Sequence, residues 1–429
     1  MRLSLGFDKW FQDRFYQNNL RIDLSLDRVM EAKGRLHPLS VPIILVGGTN
    51  GKGSTCSYLE NVYHRAGYRV GSFTSPHIVT VRERIHYNCS VFSEEVWYEI
   101  AEKFFLQFSD LELTFFEAIT VISFIFWQEY STDVLIYEVG LGGRLDATNV
   151  LDAECSIVTS IDLDHQHYLG NDRESVGLEK AGIFRKNKVA VCGDLRPPSS
   201  LLLYAREIGS NLCCLQKDFY VYWEQVDNKQ WCHSSSYGLW KALPVPSMRG
   251  RHQLRNASCA LMAVQALFDR LPVSLNDIRF ALTHAVIPGR FQVIPGQPSI
   301  VLDVAHNPAS VNCLVDTLTD MPYSRNVSAV FSCLADKDIQ GIIELIKVQI
   351  DRWFICELPS LRACSVADIS KSLCAIGVDI SKINVFSEPL DAYREAYRSS
   401  LECDRIVVFG SFYLIGYFMK IPSFSWHRL

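Results

Sequence analysis

A lysine inside a glycine-rich segment is the feature of this sequence best suited to chemistry. Four glycines lie within residues 47–53, and Lys52 lies among them. Glycines let backbone N–H groups turn toward one point, and a helix that starts there adds positive potential. Lys52 could then hold β- and γ-phosphates, and Ser54 or Thr55 could offer a hydroxyl to phosphate or Mg²⁺. The pattern therefore predicts a phosphate-binding loop; a glycine-rich turn without a ligand is the alternative.

The order of these residues differs from the usual G-x-x-x-x-G-K-[ST] pattern. Val46 occupies the first glycine position, and Gly53 separates Lys52 from Ser54. The flanking segments nevertheless fit, because 41–46 is a short apolar run typical of a buried strand and 55–66 is compatible with a helix. Strand, glycine loop and helix together form the context in which a phosphate loop is expected.

Polar residues follow two further predicted strands, 133–139 and 153–161. Glu138 lies at the end of the first, where an acidic side chain in a phosphate-binding domain could hold Mg²⁺. A solvated or capping glutamate is the alternative. The second strand is followed by two acids and two histidines, and imidazole is an unusual neighbour for Mg²⁺, so metal ligand and loop histidine both stay open. These residues are Asp162, Asp164, His165 and His167.

Two other polar residues have ordinary explanations when they are taken alone. Lys180 lies on a predicted short helix before the strand 187–192, where an exposed helix lysine is the simplest interpretation. Ser75 offers a hydroxyl at the end of the predicted strand 68–73, directly before a proline.

The alternation of strands, loops and helices predicts the fold class. It favours an α/β protein with a doubly wound, mostly parallel sheet in a phosphate-loop domain. Residues 216–246 break the alternation and are predicted to form a small antiparallel flank. The alternation restarts at the strand 299–304 and predicts a smaller Rossmann-like α/β domain, with further strands at 327–332, 352–356, 383–386 and 405–409. We place the boundary after residue 288, giving domains 1–288 and 289–429.

Three residues of the second domain are candidates for nucleotide contact. Asp303 and His306 lie at the end of the strand 299–304, where an acceptor and a ring suit a base or ribose. Capping of the next helix is the alternative for both. Arg290 lies at the expected domain junction, where one basic side chain could reach a phosphate held by the other domain.

Composition excludes several classes of protein. With 429 residues, 48% hydrophobic and 21% charged, the chain is typical of a globular protein of two domains. A net charge of −5 gives no reason to expect a nucleic-acid partner. The 14 cysteines show no C-x-x-C spacing, which favours reduced thiols in a cytoplasmic protein over a zinc site or disulfides. No signal peptide and no clean membrane span are expected.

A dozen short motifs, in their order along the chain, resemble those of one protein family. The chain resembles bacterial folylpolyglutamate synthases that are also dihydrofolate synthases, within the Mur ligase superfamily of ATP-dependent amide ligases. The glycine loop has the G-T-N-G-K-G form of that family. The other matching segments are Ile22–Val29, Thr74–His77, Glu83–Ile85, Thr114–Glu117, Glu138–Asn149, Asp164–Gly170, Glu179–Phe184, Gly250–Ala257, Pro288–Gln292, Asp303–Pro308, Leu334–Ile339 and Gly410–Phe412.

The resemblance implies roles for individual residues. Lys52, Lys180 and His165 would be catalytic, and Lys180 matches a position that is carbamylated near a second metal ion. Two Mg²⁺ ions would be held with the help of Ser75, Glu138 and His165. The pteroate site would include Thr114, Phe116, Asp146 and Ala147. Nucleotide contacts would come from Thr49, Asn50, Gly51, Lys52, Gly53, Ser54, Thr55, Asn256, Arg290, Asp303 and His306. His167 stands where many relatives have an acid, so its role is open.

The resemblance also implies an activity. ATP would activate the carboxylate of dihydropteroate or a reduced folate as an acyl phosphate, which the amine of L-glutamate then attacks. The partners would be these small molecules, and we expect a monomer. Two alternatives are a cell-wall ligase of the same superfamily, disfavoured by the lack of an extra N-terminal substrate domain, and a P-loop ATPase switch, disfavoured by the lack of a basic patch.

Overall fold

A computed structural model describes residues 6–15, 23–224 and 230–421. The contacts divide the chain into two units. Unit 1 comprises Met1–Ser247 and Leu254–Val286, and unit 2 comprises Met248–Gln253 and Ile287–Leu429. The third change of unit, between residues 286 and 287, lies next to the expected boundary after residue 288, whereas the short segment 248–253 was not expected in the second part.

Unit 1 is built on an eight-stranded sheet with the order β4-β3-β2-β5-β1-β6-β7-β8. The six strands from β2 to β8 in this order pair in parallel, while β3 and β4 add antiparallel pairs at one edge. The expected mostly parallel sheet is confirmed. The strands are β1 (Ile43–Gly47), β2 (Val70–Phe73), β3 (Ile85–Tyr87), β4 (Ser90–Val91), β5 (Val134–Glu138), β6 (Cys155–Val158), β7 (Val189–Cys192) and β8 (Asn211–Cys214).

Ten helices accompany the strands of unit 1 in the described part of the chain. Helix α5 is buried along almost its whole length, as its apolar sequence predicts. No helix in the described ranges is long and apolar enough to cross a membrane. The helices are α1 (Phe7–Phe15), α2 (Asp27–Gly34), α3 (Lys52–Arg65), α4 (Glu94–Phe108), α5 (Phe115–Glu129), α6 (Gln166–Leu169), α7 (Arg173–Ala181), α8 (Ser199–Ile208), α9 (Arg251–Ala266) and α10 (Leu275–His284).

Residues 16–22 fall between α1 and α2, so Ile22, the first residue of one family motif, lies outside the described residues. The prediction of helices in residues 7–36 is confirmed by α1 and α2 in the described part of this range. Residues 79–87, expected as a half-exposed strand or loop, form a 3-10 turn at Val81–Arg84 followed by β3.

The expected antiparallel flank is a three-stranded sheet of β9 (Phe219–Trp223), β10 (Gln230–Ser235) and β11 (Gly238–Pro244). Residues 225–229, within the predicted flank, are not described. A buried histidine joins this sheet to α9: the ring nitrogens of His233 lie 2.8 Å from Ser258 Oγ and 3.0 Å from Gln265 Oε1. Burial lowers the pKa of His233 to about 4, so the ring is neutral at pH 7. The flank thereby holds α9, which carries Asn256.

Unit 2 is a second α/β sheet with the order β12-β13-β17-β14-β15-β16, and only the edge strand β12 pairs antiparallel. Apolar residues of β13, β14, β15 and β17 pack with α11 and α12 to form its core. The expected smaller Rossmann-like unit is confirmed. Its elements are β12 (Gln292–Ile294), β13 (Ser299–Asp303), α11 (Pro308–Thr319), β14 (Val327–Phe331), α12 (Ile339–Ile346), β15 (Arg352–Cys356), α13 (Val366–Ala375), β16 (Ile383–Phe386), α14 (Pro389–Arg398), β17 (Arg405–Phe409) and α15 (Phe412–Met419).

All 14 cysteines are free thiols, and most are buried among apolar side chains. Buried free cysteine behaves as a small apolar residue, so these side chains contribute to packing in both sheets.

Candidate active site

The glycine loop after β1 is tied to the residues that follow β6. Thr49 N donates to Ser160 O over 2.8 Å, and Thr49 Oγ1 donates to Asp162 O over 3.0 Å. Asn50 N donates to Ser160 Oγ over 3.1 Å, and its carbonyl accepts from Thr159 Oγ1 over 2.7 Å. Because β1 and β6 are parallel neighbours, their carboxyl ends meet, and these bonds fix the shape of the loop.

Gly51 connects the loop to α9. Its φ is +90°, which L side chains rarely adopt, and a Cβ on this residue would overlap the amide of Asn256. Asn256 is 7% exposed and lies on α9. The structure therefore brings Asn256 against the glycine loop, where the sequence predicted a nucleotide contact.

Helix α3 begins at Lys52, three residues before the predicted start at Thr55. Gly51 is its N-cap, so the backbone N–H groups of Lys52, Gly53 and Ser54 lie in the first turn of the helix. Lys52 Nζ donates to the carbonyls of Gly48 over 3.1 Å and Thr49 over 3.3 Å. A cation and a helix N-terminus at one place form a preorganised anion site.

Thr55 has a different role from its neighbours. Its N–H donates to Gly51 O over 3.0 Å, its hydroxyl donates to Asn256 O over 3.4 Å, and the residue is fully buried. Both of its donors are engaged within the protein, so Thr55 fixes the loop against α9. The hydroxyl of Ser54 belongs to the same first turn.

Glu138 and Ser75 lie together at the carboxyl ends of β5 and β2. Glu138 is 4% exposed, and its Oε2 accepts from Ser75 N over 3.0 Å. The alternative of a solvated glutamate is wrong. Burial raises the pKa of the Cys56 thiol on α3, and the negative charge of Glu138 also raises it. The Glu138 carboxylate therefore lies beside that helix. A carboxylate and a hydroxyl residue near the phosphate loop are oxygen donors of the kind Mg²⁺ prefers.

His165 occupies a strained position before α6. Its φ is +52°, in the left-handed region, and its N–H donates to Asp164 Oδ1 over 2.8 Å. Its Nε2 lies 3.9 Å from the same carboxylate oxygen. His167 is exposed on α6. Across the described residues, no three His, Cys, Asp or Glu side chains are grouped as a metal site.

Lys180 is buried on α7, with 3% of its surface exposed, so the interpretation as an exposed helix lysine is wrong. Burial, together with the charge of Lys52, lowers the pKa of Lys180 to about 7, while the charges of Asp164 and Asp146 act in the opposite direction. These four charged side chains are therefore close enough to interact. A lysine with a pKa near neutrality is partly an uncharged amine, which can act as a nucleophile.

Asp146 is buried in the loop that follows β5. It accepts hydrogen bonds from Leu141 N, Thr148 N and Thr148 Oγ1, over 2.8, 3.0 and 2.6 Å. Burial raises the pKa of Asp146, and these hydrogen bonds oppose the shift. Ala147 starts a short 3-10 turn and is 5% exposed. The carboxylate thus holds its own loop in shape.

The start of α5 contacts the same loop. Thr114 is the N-cap of α5 and forms a capping box with Glu117, whose carboxylate also accepts from Arg28 Nη2 over 2.8 Å. The ring of Phe116 lies against Gly140, where a Cβ would overlap it. The structure therefore brings Phe116 beside the loop of Asp146, while the hydroxyl of Thr114 is engaged in the cap.

Unit 2 groups its own candidate residues at the carboxyl end of β13. Asp303 accepts from Phe291 N over 2.8 Å and Ala305 N over 2.7 Å; burial raises its pKa, and the charge of Arg290 opposes the shift. The Arg290 guanidinium lies 5.2 Å from the ring of Phe412, and the His306 ring lies 5.6 Å from it.

Asn307 is the N-cap of α11, with its Oδ1 accepting from Ser310 N over 2.9 Å. Capping by Asp303 or His306 is therefore wrong. The ring of Phe412, which the sequence analysis did not single out as a site residue, accompanies Arg290 and His306.

Sequence reasoning missed the residues that hold the site together. Thr159 and Ser160 anchor the glycine loop. The sequence pattern that could have identified them is a pair of hydroxyl side chains at the end of a predicted strand. Arg28 supports the capping box of Thr114 through Glu117, which lies 89 residues away in sequence, and no local pattern marks that contact.

Comparison with known proteins gives the family. The model of the Mur ligase middle domain matches residues 46–264, and that of the Mur ligase glutamate ligase domain matches residues 289–412. The dihydrofolate synthase/folylpolyglutamate synthase of Escherichia coli (strain K12) is 36% identical over 411 residues, covering 95% of this chain and 94% of that protein.

Two solved structures resemble the whole chain. E. coli FolC in complex with DHPP and ADP superimposes with a TM-score of 0.88 at 34% identity, covering 97% of both chains. A bifunctional folylpolyglutamate synthase/dihydrofolate synthase with Mn, AMPPNP and L-glutamate bound gives 0.87 at 35% identity, covering 97% of this chain and 98% of the other. The chain belongs to the dihydrofolate synthase/folylpolyglutamate synthase family of ATP-dependent ligases, within the Mur ligase superfamily.

Proposed function

We propose that this protein joins L-glutamate to dihydropteroate at the expense of ATP, forming dihydrofolate, and adds glutamates to reduced folates. The observation that carries the proposal is the arrangement around the glycine loop. An anion site at Lys52 lies within electrostatic reach of the buried Lys180, and the pair Glu138 and Ser75 lies beside α3. Such a site suits transfer of a phosphoryl group to a carboxylate.

The chemistry follows from charge. A carboxylate is a poor electrophile, so the substrate carboxylate attacks the γ-phosphorus of ATP, ADP leaves, and an acyl phosphate forms. Lys52 and the N–H groups of the first turn of α3 neutralise the charge on the transferred group. The amine of glutamate then attacks the acyl carbon, the amide forms, and phosphate leaves with its bonding electron pair.

Mg²⁺ fits the donors that the structure provides. The carboxylate of Glu138 and the hydroxyl of Ser75 are hard oxygen ligands, and His165 would add a nitrogen ligand by analogy with the family. When bound, up to two such ions would neutralise charge on the phosphates.

Lys180 is proposed to carry a carbamate. Its neutral amine would add to CO₂ with loss of one proton, converting the side chain into an anion. Supporting this are its burial and a pKa lowered to about 7 by that burial and by Lys52. A carbamate oxygen would give the site a second anionic oxygen donor besides Glu138.

The substrate sites are proposed on both units. Phe116 and the loop of Asp146 and Ala147 would take the flat pterin, with Thr114 shaping the approach. Asn256 would contact the nucleotide from unit 1. Arg290, Asp303 and His306 would contact it from unit 2.

The proposal extends to the organisation of the molecule. Residues 1–288 would bind ATP, Mg²⁺ and the pteroate, and residues 289–429 would close over nucleotide and glutamate. The protein would act as a monomer in the cytoplasm, where its 14 free cysteines stay reduced.

The test is a ligation assay with dihydropteroate and tetrahydrofolate in parallel, each with ATP, Mg²⁺ and labelled L-glutamate. We expect incorporation of glutamate into both acceptors, and phosphate release only when acceptor and glutamate are both present. Protein that binds ATP but incorporates no glutamate into either acceptor would contradict the proposal. Release of phosphate from ATP by the protein without acceptor and without glutamate would favour the ATPase alternative.

A further inference from the structure

The loop of residues 140–151, which follows β5 and carries Asp146, is docked on the carboxyl end of α7. Arg144 N donates to Glu179 O over 2.8 Å, and its guanidinium pairs with the Glu179 carboxylate over 2.7 Å. Gly143 packs so closely that a Cβ there would lie 2.6 Å from Glu179 O. The loop 140–151 and the end of α7 are therefore in direct contact over several residues.

Arg185 holds these two segments together. Its Nη1 donates to Ile183 O over 3.0 Å, within the turn that follows α7. Its Nη2 donates to Asn149 O, Asn149 Oδ1 and Leu151 O, each over 2.8 Å. Asn149 Nδ2 completes the arrangement by donating to Gly182 O over 3.1 Å. One planar guanidinium thus satisfies carbonyl groups of both segments.

This arrangement is unusual for an arginine. The nearest carboxylate, that of Asp152, lies 3.9 Å away and is 92% exposed, so the ion pair is worth little. The Arg185 side chain itself is only 23% exposed. Its partners are backbone and amide oxygens, which means that its role is to fix the position of the main chain.

The two segments carry two buried groups of the site. Asp146 lies in the loop 140–151 and is 3% exposed, and Lys180 lies on α7 and is also 3% exposed. Their charges interact. Arg185 and Asn149 therefore join the two segments that carry Asp146 and Lys180.

We propose that Arg185 is a positioning residue of the active site, which with Asn149 clamps the loop 140–151 onto the end of α7 and so fixes Asp146 relative to Lys180. This proposal concerns the same active site as the proposed function. Only the measurement of kcat and KM depends on the proposed function. Lysine cannot replace arginine here, because a single nitrogen cannot reach carbonyls on both segments in a fixed plane.

The test compares Arg185→Gln, Arg185→Lys and Asn149→Ala with the wild type, and uses Arg206→Gln on the exposed face of α8 as the matched control. Three quantities are measured in the full chain: amide hydrogen exchange of residues 140–151, affinity for a non-hydrolysable ATP analogue, and kcat and KM for ligation. The second clamp variant, Asn149→Ala, keeps the test decisive if one Arg185 variant does not fold.

We expect exchange in residues 140–151 to accelerate about tenfold in Arg185→Gln and Asn149→Ala, because the local opening becomes easier. We expect kcat to fall at least about tenfold, since small misplacements of catalytic groups are costly. Affinity for the ATP analogue should stay within about twofold, because the glycine loop is anchored by Thr159, Ser160 and Asn256, outside the clamp. Arg185→Lys should lose nearly as much activity as Arg185→Gln.

Two results would overturn the proposal. One is a folded Arg185→Gln protein with wild-type exchange and kcat. The other is a uniform loss of ATP affinity, melting temperature and protection throughout unit 1, which would show a general role in folding. A wild-type protein that does not ligate contradicts the proposed function instead, and the exchange measurement, which needs no substrate, then decides on the clamp.

Discussion

Replacing Gly51 by alanine should separate the shape of the glycine loop from the stability of the fold. Gly51 is the N-cap of α3 with a φ of +90°, and a Cβ there would overlap Asn256. Gly67, just after the same helix, provides the matched control. Its φ is +94°, and nothing lies within 4 Å of a Cβ built on it.

Both substitutions carry the free-energy cost of placing alanine at a positive φ, but only one of them forces a neighbouring side chain to move. Alanine at a positive φ costs about 1 kcal/mol of folding free energy at either position. Only at Gly51 must the amide of Asn256 also move, and with it the contact between the loop and α9. We therefore expect both variants to lose about 1 kcal/mol from the φ term, with a larger loss for Gly51→Ala. Only Gly51→Ala should lose affinity for nucleotide, by at least about tenfold, which corresponds to ~1.4 kcal/mol.

The assays are urea unfolding and calorimetric titration with a non-hydrolysable ATP analogue. Gly67→Ala should bind the analogue as the wild type does. A Gly51→Ala protein with wild-type nucleotide affinity would refute the reasoning, because it would show that the contact between Gly51 and Asn256 does not shape the site.

Two further predictions concern buried titratable side chains. Lys180→Ala should keep ATP-analogue binding but lose about a hundredfold in ligation rate, measured against the exposed Lys186→Ala control, and a wild-type rate would contradict the carbamate. His233, with its pKa lowered to about 4 by burial, should make the folded state less stable in acid. Between pH 6.5 and 4 the unfolded chain binds a proton that the folded chain does not, so stability falls as pH falls, by up to ~3 kcal/mol. Urea unfolding between pH 4.5 and 7 should show a shallower decline in His233→Gln than in the exposed His167→Gln control; equal slopes would refute the assignment.

The sequence predicted the central strands of both sheets because their apolar, β-branched runs are local signals. It missed β8 (Asn211–Cys214) and β12 (Gln292–Ile294), which are short edge strands. Edge strands depend on their single neighbour, and local pattern does not record that neighbour.

Other errors came from contacts between distant residues. Glycines at 51 and 53 disfavour a helix by propensity, yet α3 begins at Lys52 with Gly51 as its N-cap. Lys180 taken alone looked like a surface lysine, because local sequence does not record that another loop, at Gly143, packs against its backbone. Capping of α11 was the alternative to nucleotide contact for Asp303 and His306, but Asn307 fills that role. The residues that can carry chemistry were identified from the sequence, whereas their burial could not be predicted from it.

The central claim is that the glycine loop serves to activate a carboxylate, and an isotope experiment tests it most directly. Dihydropteroate carrying ¹⁸O in its carboxylate is ligated to glutamate with unlabelled ATP, and the released phosphate is analysed by mass spectrometry. The proposed mechanism predicts one ¹⁸O atom in each phosphate, because the attacking carboxylate oxygen leaves with the phosphoryl group. Unlabelled phosphate, with amide bond formation intact, would contradict an acyl phosphate and with it the account of this site.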